Sequence, residues 1–428
     1  MRRSIRRRAA LQYLAVGLGT AALPSSRSFA QETRLRGAWW GSAERTRRTL
    51  SVGELYRESS GVILEGEGAG WADYWPRLAT LVAGGNPPDI MQMELSTIGE
   101  YARRGALLPL GDRLGKELDL ADFDESQIQG GTVDGTFYGV SLGTSANGMM
   151  VNAAAWSKAG VDLPTTNTTW DDLGRMGEQV TKAIGKPQYF GLQDSSGIEA
   201  VIESWLLQRG KRLYNADGTL GYDEQDAGDW FAMWADFRGK GTCVTPDLQS
   251  LDQVSIETSM LTLGHSASSF GSANQLVGFQ AISSDSIVLA PMPKLGTDST
   301  NGIYVKPSQF FSIAAKSRNA EDAVKFVNFF VRDPGAAAIL GLERGVPASA
   351  AVRQSLSGTL DEVSQRAADY VSLVTPIAGP LPPAAPAGAT EINAALKRVS
   401  EEVGFGQRTP TEGGQALVAE AKDILSRA

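Results

Sequence analysis

Cysteine and histidine are almost absent from this chain of 428 residues, which contains one of each, Cys243 and His265. A single cysteine excludes an intramolecular disulfide, and a single histidine excludes a His-rich metal site. The two could form only one Cys-His nucleophilic pair, and His265 lies among small residues without a partner motif, which favours a structural role. The glycine-rich segment 66–70 lacks the lysine of a phosphate-binding P-loop and predicts a flexible turn. We therefore expect no metal and no cofactor.

Long apolar runs are missing beyond the first 30 residues, and that segment has the features of an export signal. Five arginines from Arg2 to Arg8 precede an apolar stretch over 9–23, and Ser28-Phe29-Ala30 is a small-x-small cleavage site. The adjacent arginines suggest the twin-arginine route, and ordinary secretion stays open. We expect cleavage after Ala30 and, because no cysteine lies at that site, no lipid anchor.

Basic residues are outnumbered by acidic ones. Removal of the signal takes away six of the 40 basic residues, so 34 face 48 acidic residues, a net charge of −14 in the mature chain. A surplus of this sign argues against nucleic acid and anionic membranes as partners. A mature chain of about 400 residues buries ample core without disulfides. The mature chain is expected to be a soluble, exported protein.

The most informative stretch covers residues 71–94. Apolar residues at i, i+3, i+4, i+7 and i+11 from Trp71 predict a helix with one buried face, and Pro76 fits its first turn if Asp73 is the N-cap. The run Gly-Gly-Asn-Pro-Pro at 84–88 ends this helix, and a buried strand follows. Strands and helices also alternate over the preceding forty residues. This order predicts a parallel doubly wound sheet that binds ligands beyond the carboxyl ends of its strands.

The motif Ala-Gly-Gly-Asn-Pro-Pro-Asp-Ile at 83–90, after an aromatic helix, resembles the extracellular solute-binding proteins of carbohydrate ABC transporters, the maltose-binding-protein-like family. Further segments are similar to this family in the same order, namely 101–110, 135–152, 156–172, 265–274, 291–315 and 345–348. The resemblance covers most of the mature chain and is weakest after residue 350. It implies an α/β, two-lobe periplasmic-binding-protein fold of type II, in which two doubly wound sheets are joined by hinge strands.

The resemblance also implies how the chain divides. After a signal peptide at 1–30, the first lobe is expected to contain residues 31–145 and 268–312, and the second lobe residues 146–267 and 313–428. Glycines and small residues suit hinge segments that must absorb changes in backbone angles. Such segments are expected near 144–148, 264–270 and 311–315.

Sugar binding requires aromatic rings for the C–H faces of a pyranose and planar polar groups for its hydroxyls. Resemblance to the family's loop positions and the rule for strand ends together give the candidate ligand-binding residues Trp39, Trp40, Tyr74, Gln92, Glu94, Asn147, Trp205, Ser272, Asn274, Tyr304, Gln309 and Arg344. Neighbouring side chains point to opposite faces of a strand, so one of the two adjacent tryptophans is expected to reach the ligand.

The predicted function is that of a periplasmic substrate-binding protein of an ABC importer, without catalytic residues. It would capture a sugar or sugar derivative by hinge closure and deliver it, as a monomer, to the permease subunits. One alternative is a binding protein for a non-sugar solute such as a polyamine or phosphonate. Another is a secreted carbohydrate-active enzyme that uses two carboxylates among Glu94, Asp194 and Glu203. Glu94 and Arg344 leave both cationic and anionic sugar derivatives open.

Overall fold

The computed structural model describes residues 32–296, 298–356 and 358–427. The predicted signal peptide lies outside these ranges. From Thr33 on, the chain forms one compact unit, which is built on two main sheets. Among the described helices, none combines the length and the apolar character that a membrane span requires.

The secondary structure alternates in the first half and is mostly helical in the last quarter. The strands are β1 (Arg34–Trp40), β2 (Ile63–Ala69), β3 (Ile90–Met93), β4 (Thr132–Val133), β5 (Thr136–Phe137), β6 (Val140–Ser141), β7 (Thr144–Asn152), β8 (Ser268–Ser272), β9 (Ile287–Ala290), β10 (Val305–Pro307) and β11 (Phe310–Ile313). The helices are α1 (Ala43–Ser60), α2 (Trp71–Ala83), α3 (Leu95–Arg103), α4 (Glu125–Gly130), α5 (Ala153–Lys158), α6 (Trp170–Ile184), α7 (Glu199–Gln208), α8 (Glu224–Gly239), α9 (Pro246–Gln249), α10 (Leu276–Ala281), α11 (Ala320–Arg332), α12 (Pro334–Leu340), α13 (Ala350–Leu356), α14 (Glu362–Val374), α15 (Ala389–Gly404) and α16 (Pro410–Arg427).

The first sheet has the strand order β2-β1-β3-β11-β6 and forms the first lobe. β1 is parallel to β2 and β3, as the alternation predicts, while β11 runs antiparallel to both β3 and β6. α1 begins after Ser42, whose Oγ accepts a hydrogen bond of 3.2 Å from the backbone N–H of Arg45. Leu35, Ile90 and Phe311 of this sheet are buried in a core to which α1 and α11 also contribute.

The second sheet is centred on β7 and forms the second lobe. β8 pairs antiparallel with one side of β7, and β9 and β10 pair antiparallel with the other side. Short parallel bridges join Phe190 to Ser266 and Leu192 to Cys243. The core of this lobe is rich in tryptophan, with Trp156, Trp170, Trp205, Trp230 and Trp234 all buried.

These pairings do not agree with the predicted division between the lobes. β8 and β9, at 268–290, pair with β7 in the second sheet, whereas β11, at 310–313, completes the first sheet between β3 and β6. α11 buries its apolar side in the first core. Residues 268–312 therefore do not belong as a block to the first lobe, nor 313–332 to the second. Pairing between strands that are distant in the chain decides this allocation, and local sequence patterns do not encode it.

The chain passes between the sheets at 142–144 and again at 307–310, and segment 344–346 lies against both passages. Thr144 and Val346 exchange backbone hydrogen bonds of 2.6 and 2.9 Å, and the N–H of Ser308 donates to a carbonyl of the first passage at 2.7 Å. The predicted hinge at 144–148 adjoins this junction. The predicted hinge at 264–270 lies within the second lobe, and residues 311–313 belong to the first sheet.

Two local predictions are wrong. β2 continues to Ala69 through the predicted turn because its glycines lie under the Trp39 indole, and a Cβ on Gly66 would be 2.0 Å from Cη2 of that ring. α2 begins at Trp71, so Pro76 lies inside the helix and Asp73 is not its N-cap. The predicted stop is confirmed, since Gly85 has a φ of +72°.

Candidate functional site

The carboxyl end of β3 meets the second sheet at the boundary between the lobes, where Glu94 lies, and we call this junction the cleft. Glu94 follows β3 directly and is the N-cap residue of α3. Its carboxylate is bonded by the ammonium group of Lys306 in β10, and Lys306 stands opposite Ser145 of β7. Both side chains are little exposed, 12% for Glu94 and 9% for Lys306. The ion pair therefore joins the two sheets inside the protein.

Two further carboxylates approach Glu94 from α7. Glu199 and Glu203 are four residues apart and so lie on one face of that helix. Tyr304 donates its hydroxyl hydrogen to Glu203, and Ser96 lies beside Glu199. We call Glu94, Glu199 and Glu203 the carboxylate cluster. It combines one group from the first lobe with two from the second.

Burial beside like charges changes the protonation of this cluster. Desolvation, followed by the charges of Glu203 and Glu94, raises the pKa of Glu199 to about 8. Desolvation also raises the pKa of Glu203, against the opposing effects of the Tyr304 hydroxyl and the Lys306 charge. At neutral pH Glu199 therefore carries a proton. Within the described ranges, no group of three or more His, Cys, Asp or Glu side chains is arranged to hold a metal ion.

Gln92 and Arg344 lie beside the cleft in a fully buried network. The Gln92 amide donates to the carbonyl of Trp40 at 3.1 Å and accepts a hydrogen bond from Arg344. Arg344 also donates to Oγ1 of Thr49 at 2.6 Å, and its carbonyl accepts from Nε2 of Gln309 at 3.0 Å. Burial, followed by the nearby charge of another arginine, lowers the pKa of Arg344 to about 9. These three predicted site residues use their hydrogen bonds mainly on the protein itself.

Asn147, Ser272 and Asn274 form the polar edge of the second sheet at the same junction. Asn147 stands opposite Ser272 in the β7–β8 ladder, and Oγ of Ser272 lies 2.8 Å from Oγ of Ser145. Asn274 donates from Nδ2 to the carbonyl of Glu343 at 3.3 Å. Its Oδ1 finds no hydrogen-bond donor among the described residues, although Asn274 is only 3% exposed. This acceptor is therefore available to a further hydrogen-bond donor.

The remaining aromatic candidates are packed inside the lobes. Trp39 and Trp40 lie on opposite faces of β1, as expected, but both are buried, and the Trp39 indole N–H donates to Thr46 at 3.2 Å. The ring of Trp40 lies 5.3 Å from that of Tyr74 in an aromatic cluster with α2. Trp205 belongs to the second core. Of the predicted aromatic residues, Tyr304 is the one with a hydrogen bond to the carboxylate cluster.

The sequence prediction missed Glu199 and Lys306, and it considered Glu203 only as an enzymatic carboxylate. The four-residue spacing of the two glutamates on a predicted helix was a usable signal. No sequence signal indicated Lys306, because its partner Glu94 lies more than two hundred residues earlier in the chain. Asp194, the third enzymatic candidate, is bonded by Arg238 in the second lobe.

A second set of contacts joins the lobes between α3 and the start of α15, and we call it the α3–α15 contact. Arg103 donates from Nη1 to the carbonyl of Ala385 at 2.8 Å, and the Thr390 hydroxyl donates to Oε2 of Glu100 at 2.9 Å. The backbones approach closely here, since a Cβ on Gly99 would be 2.6 Å from the Ala385 carbonyl oxygen. The two lobes are thus in direct contact beside the cleft.

A model of the bacterial extracellular solute-binding proteins matches residues 54–368 of this chain. The chain belongs to this family. An extracellular solute-binding protein of family 1 from Alicyclobacillus acidocaldarius is 30% identical, with 92% of this chain and 98% of that chain covered and a TM-score of 0.63. The periplasmic oligogalacturonide-binding protein of Yersinia enterocolitica, solved with saturated digalacturonic acid, is 24% identical, with 92% and 99% covered and a TM-score of 0.81. The predicted family and the two-lobe α/β fold are confirmed.

Curated relatives match this solute-binding protein over shorter segments. Three Brucella binding proteins are 29% identical over 167 residues, or 38% of this chain, and the chain spans about two fifths of their length, 39%. The arabinooligosaccharide-binding protein of Halalkalibacterium halodurans is 28% identical over 150 residues, which is 35% of this chain and 32% of that protein. The family is one of extracellular proteins, in agreement with the predicted export.

Proposed function

We propose that this solute-binding protein captures a sugar or sugar derivative between its lobes and releases it to the permease subunits of an ABC importer. The observation that carries the proposal is the convergence of polar groups from both lobes at one cleft, beside the direct α3–α15 contact. Closure around a ligand would form these contacts, and opening would break them. The protein would act as a monomer in the periplasm after removal of the predicted signal peptide.

A sugar is favoured as the ligand because the similar proteins include an oligogalacturonide-binding and an arabinooligosaccharide-binding protein. The chemistry of the cleft supports this choice. Sugar hydroxyls are both donors and acceptors, and they are costly to bury unpaired. The cleft offers carboxylate, amide and hydroxyl groups that can meet both needs.

The predicted ligand-binding residues divide into two groups in this proposal. Five would contact the ligand, together with Glu199, Glu203 and Lys306, because they lie at the cleft with unused or exposed polar capacity, namely Glu94, Asn147, Ser272, Asn274 and Tyr304. The other seven would support the cleft from within the lobes, namely Trp39, Trp40, Tyr74, Gln92, Trp205, Gln309 and Arg344.

Two alternatives make different use of the carboxylate cluster. A polyamine would bind to it by charge alone, without need of the amide and hydroxyl groups nearby. A glycoside hydrolase would need one carboxylic acid and one carboxylate on either side of a glycosidic bond. Glu94 and Glu203 are two carboxyl groups of the kind required, but Glu94 is ion-paired with Lys306. We therefore propose binding without turnover.

The test is a thermal-shift screen of the chain from Gln31 onward against neutral sugars, sugar acids, amino sugars, polyols and polyamines. A ligand at a hundred times its Kd stabilises the folded state by about 2.7 kcal/mol, which gives a readily measured rise in Tm. Each responding sugar is then incubated with the protein and analysed by chromatography. A response to saccharides with unchanged ligand supports the proposal. Responses confined to polyamines, or conversion of the sugar to products, would contradict it.

A further inference from the structure

The carboxylate cluster has more negative than positive charge, and closure of the lobes would assemble it. Glu94 comes from the first lobe, and Glu199 and Glu203 come from α7 of the second. The cation that faces these three groups is Lys306, which is bonded to Glu94. Among the described residues, two carboxylates thus remain without a cationic partner of their own. Bringing them towards Glu94 in a medium of low dielectric is unfavourable unless one of them binds a proton or a positive charge enters with them.

We propose that the ligand of this cleft is a sugar that carries an ammonium group, and that this group binds between Glu199, Glu203 and Glu94. This inference rests on the proposed function, because it specifies the chemical class of the sugar that the cleft would capture. An ammonium group has three N–H donors and no acceptor, so it complements a set of carboxylate oxygens. The hydroxyls of the sugar ring would meet the amide and hydroxyl groups along the edge of the second sheet.

A second observation, independent of the carboxylates, is an acceptor near the cluster that has no partner among the described residues. Oδ1 of Asn274 is an acceptor without a partner in a residue that is 97% buried. Asn274 is close to the cluster along a chain of contacts, because its backbone N–H donates to Oγ of Ser145 at 3.3 Å and Ser145 stands opposite Lys306. This acceptor is thus available to a hydrogen-bond donor of the ligand.

The protonation of Glu199 leads to a measurable prediction, the release of protons when the ligand binds. The groups that face it are Glu203 on its own helix, Glu94 and Ser96 from the first lobe, and Lys306 from β10, and its charge also acts on the hydroxyls of Tyr214, Tyr222 and Tyr304. Desolvation and the charge of Glu203 on the same helix are the largest causes that raise the pKa of Glu199 to about 8, so we expect the protein to carry a proton there at pH 7 before the ligand binds. A bound ammonium group would replace that proton. Amino-sugar binding should therefore release protons, whereas a neutral sugar should leave the proton in place.

The test uses matched sets of sugars that differ at one substituent. Glucose, galactose, mannose and cellobiose are each compared with their 2-amino and N-acetylamino counterparts, and putrescine is included as an amine without a sugar ring. Affinities and proton release are measured by titration calorimetry at pH 7 in two buffers of different ionisation enthalpy. We expect the amino member of the responding set to bind at least about tenfold more tightly than its neutral counterparts, the equivalent of one pKa unit. It should release up to one proton.

Two variants test whether the charge of Glu199, and not a general effect on folding, causes the preference for the amino sugar. Glu199→Gln removes one charge at nearly constant shape and should reduce the preference for the amino sugar and abolish the proton release. Glu58→Gln, at an exposed position of α1, is the matched control and should change neither.

Each outcome decides between the two proposals. Neutral sugars that bind as tightly as amino sugars, or amino-sugar binding without proton release, would overturn this inference and leave sugar capture intact. Binding of putrescine with no response to any sugar would overturn sugar capture itself. A lack of response throughout the panel would count against both.

Discussion

Thr390 of α15 donates a hydrogen bond from its hydroxyl to Oε2 of Glu100 in α3, at 2.9 Å, across the boundary between the two lobes. Glu100 is 4% exposed and is also ion-paired with Arg104 within its own helix at 2.8 Å. The carboxylate therefore keeps a partner when the lobes separate. This arrangement makes the Thr390 hydroxyl a contact that contributes to closure without being needed for the stability of α3.

Thr390→Val should accordingly weaken closure while the lobes stay folded. Loss of one hydrogen bond to a charged group costs about 1.5–3 kcal/mol, so the affinity for ligand should fall by roughly tenfold or more. Small-angle X-ray scattering with ligand should show a larger radius of gyration than that of the wild type. Thr80→Val is the matched control, because the Thr80 hydroxyl bonds only within α2. Equal effects of the two substitutions would rule out a role in closure.

Lys306 and Glu94 should be strongly coupled in a double-mutant cycle. Glu94→Gln leaves two other carboxylates to face Lys306, whereas Lys306→Met leaves the whole carboxylate cluster without its cation. We therefore expect Lys306→Met to lower the free energy of unfolding more than Glu94→Gln, with a coupling energy of about 1–3 kcal/mol for this little-exposed pair. Urea unfolding measures both.

The exposed ion pair of Arg77 with Glu67 is the control for this cycle. Its side chains are 58% and 74% exposed, so its coupling should be below about 1 kcal/mol. A coupling of that small size for Lys306 and Glu94, or a larger cost for Glu94→Gln, would contradict the assignment of Lys306 as the cation of the cluster.

Gly345 is required where segment 344–346 passes the start of β7. Its φ is +99°, and a Cβ there would lie 2.6 Å from the carbonyl oxygen of Thr144. Gly345→Ala should therefore destabilise the protein by about 1–3 kcal/mol, through backbone strain and displacement of this junction. Gly111→Ala is a suitable control, because no atom lies within 4 Å of its Cβ position and its φ is not positive. Thermal unfolding of both variants checks this, and equal Tm values would contradict it.

The sequence predicted the elements whose causes are local. The helix from Trp71 and the buried strand after it were predicted correctly, because hydrophobic periodicity and helix termination depend on a few adjacent residues. The end of α2 was predicted for the same reason. The family resemblance supplied the two-lobe architecture, which periodicity alone does not determine.

The exchange of strands between the sheets and the composition of the cleft depend on residues far apart in the chain. Lys306 and Glu94 are separated by 212 positions, and β11 enters the first sheet between strands that precede it by more than 160 residues. Local patterns do not encode such pairings. The sequence therefore identified Glu94 and Tyr304 as site residues without predicting the carboxylate cluster to which they belong.

Glu199 should make the stability of the ligand-free protein depend on pH above pH 4.5. Its pKa rises from the ordinary value of 4.5 to about 8 on folding, so the folded state binds more protons than the unfolded state between these limits. The free energy of unfolding then falls as pH rises through this interval and becomes constant above it. The loss attributable to Glu199 is on the order of 1–3 kcal/mol, because the group is partly exposed and solvent reduces the full effect.

Glu199→Gln tests this directly, because the amide cannot titrate. Asp252, whose pKa is raised to about 6 mainly by burial, contributes a similar fall at lower pH, so the comparison is sharpest between pH 6.5 and 8.5. In that window the variant should show a flatter profile than the wild type in urea unfolding and should be the more stable protein at pH 8.5. Parallel profiles for the two proteins would mean that Glu199 is already ionised at neutral pH. The proton release expected on binding an amino sugar would then have no source.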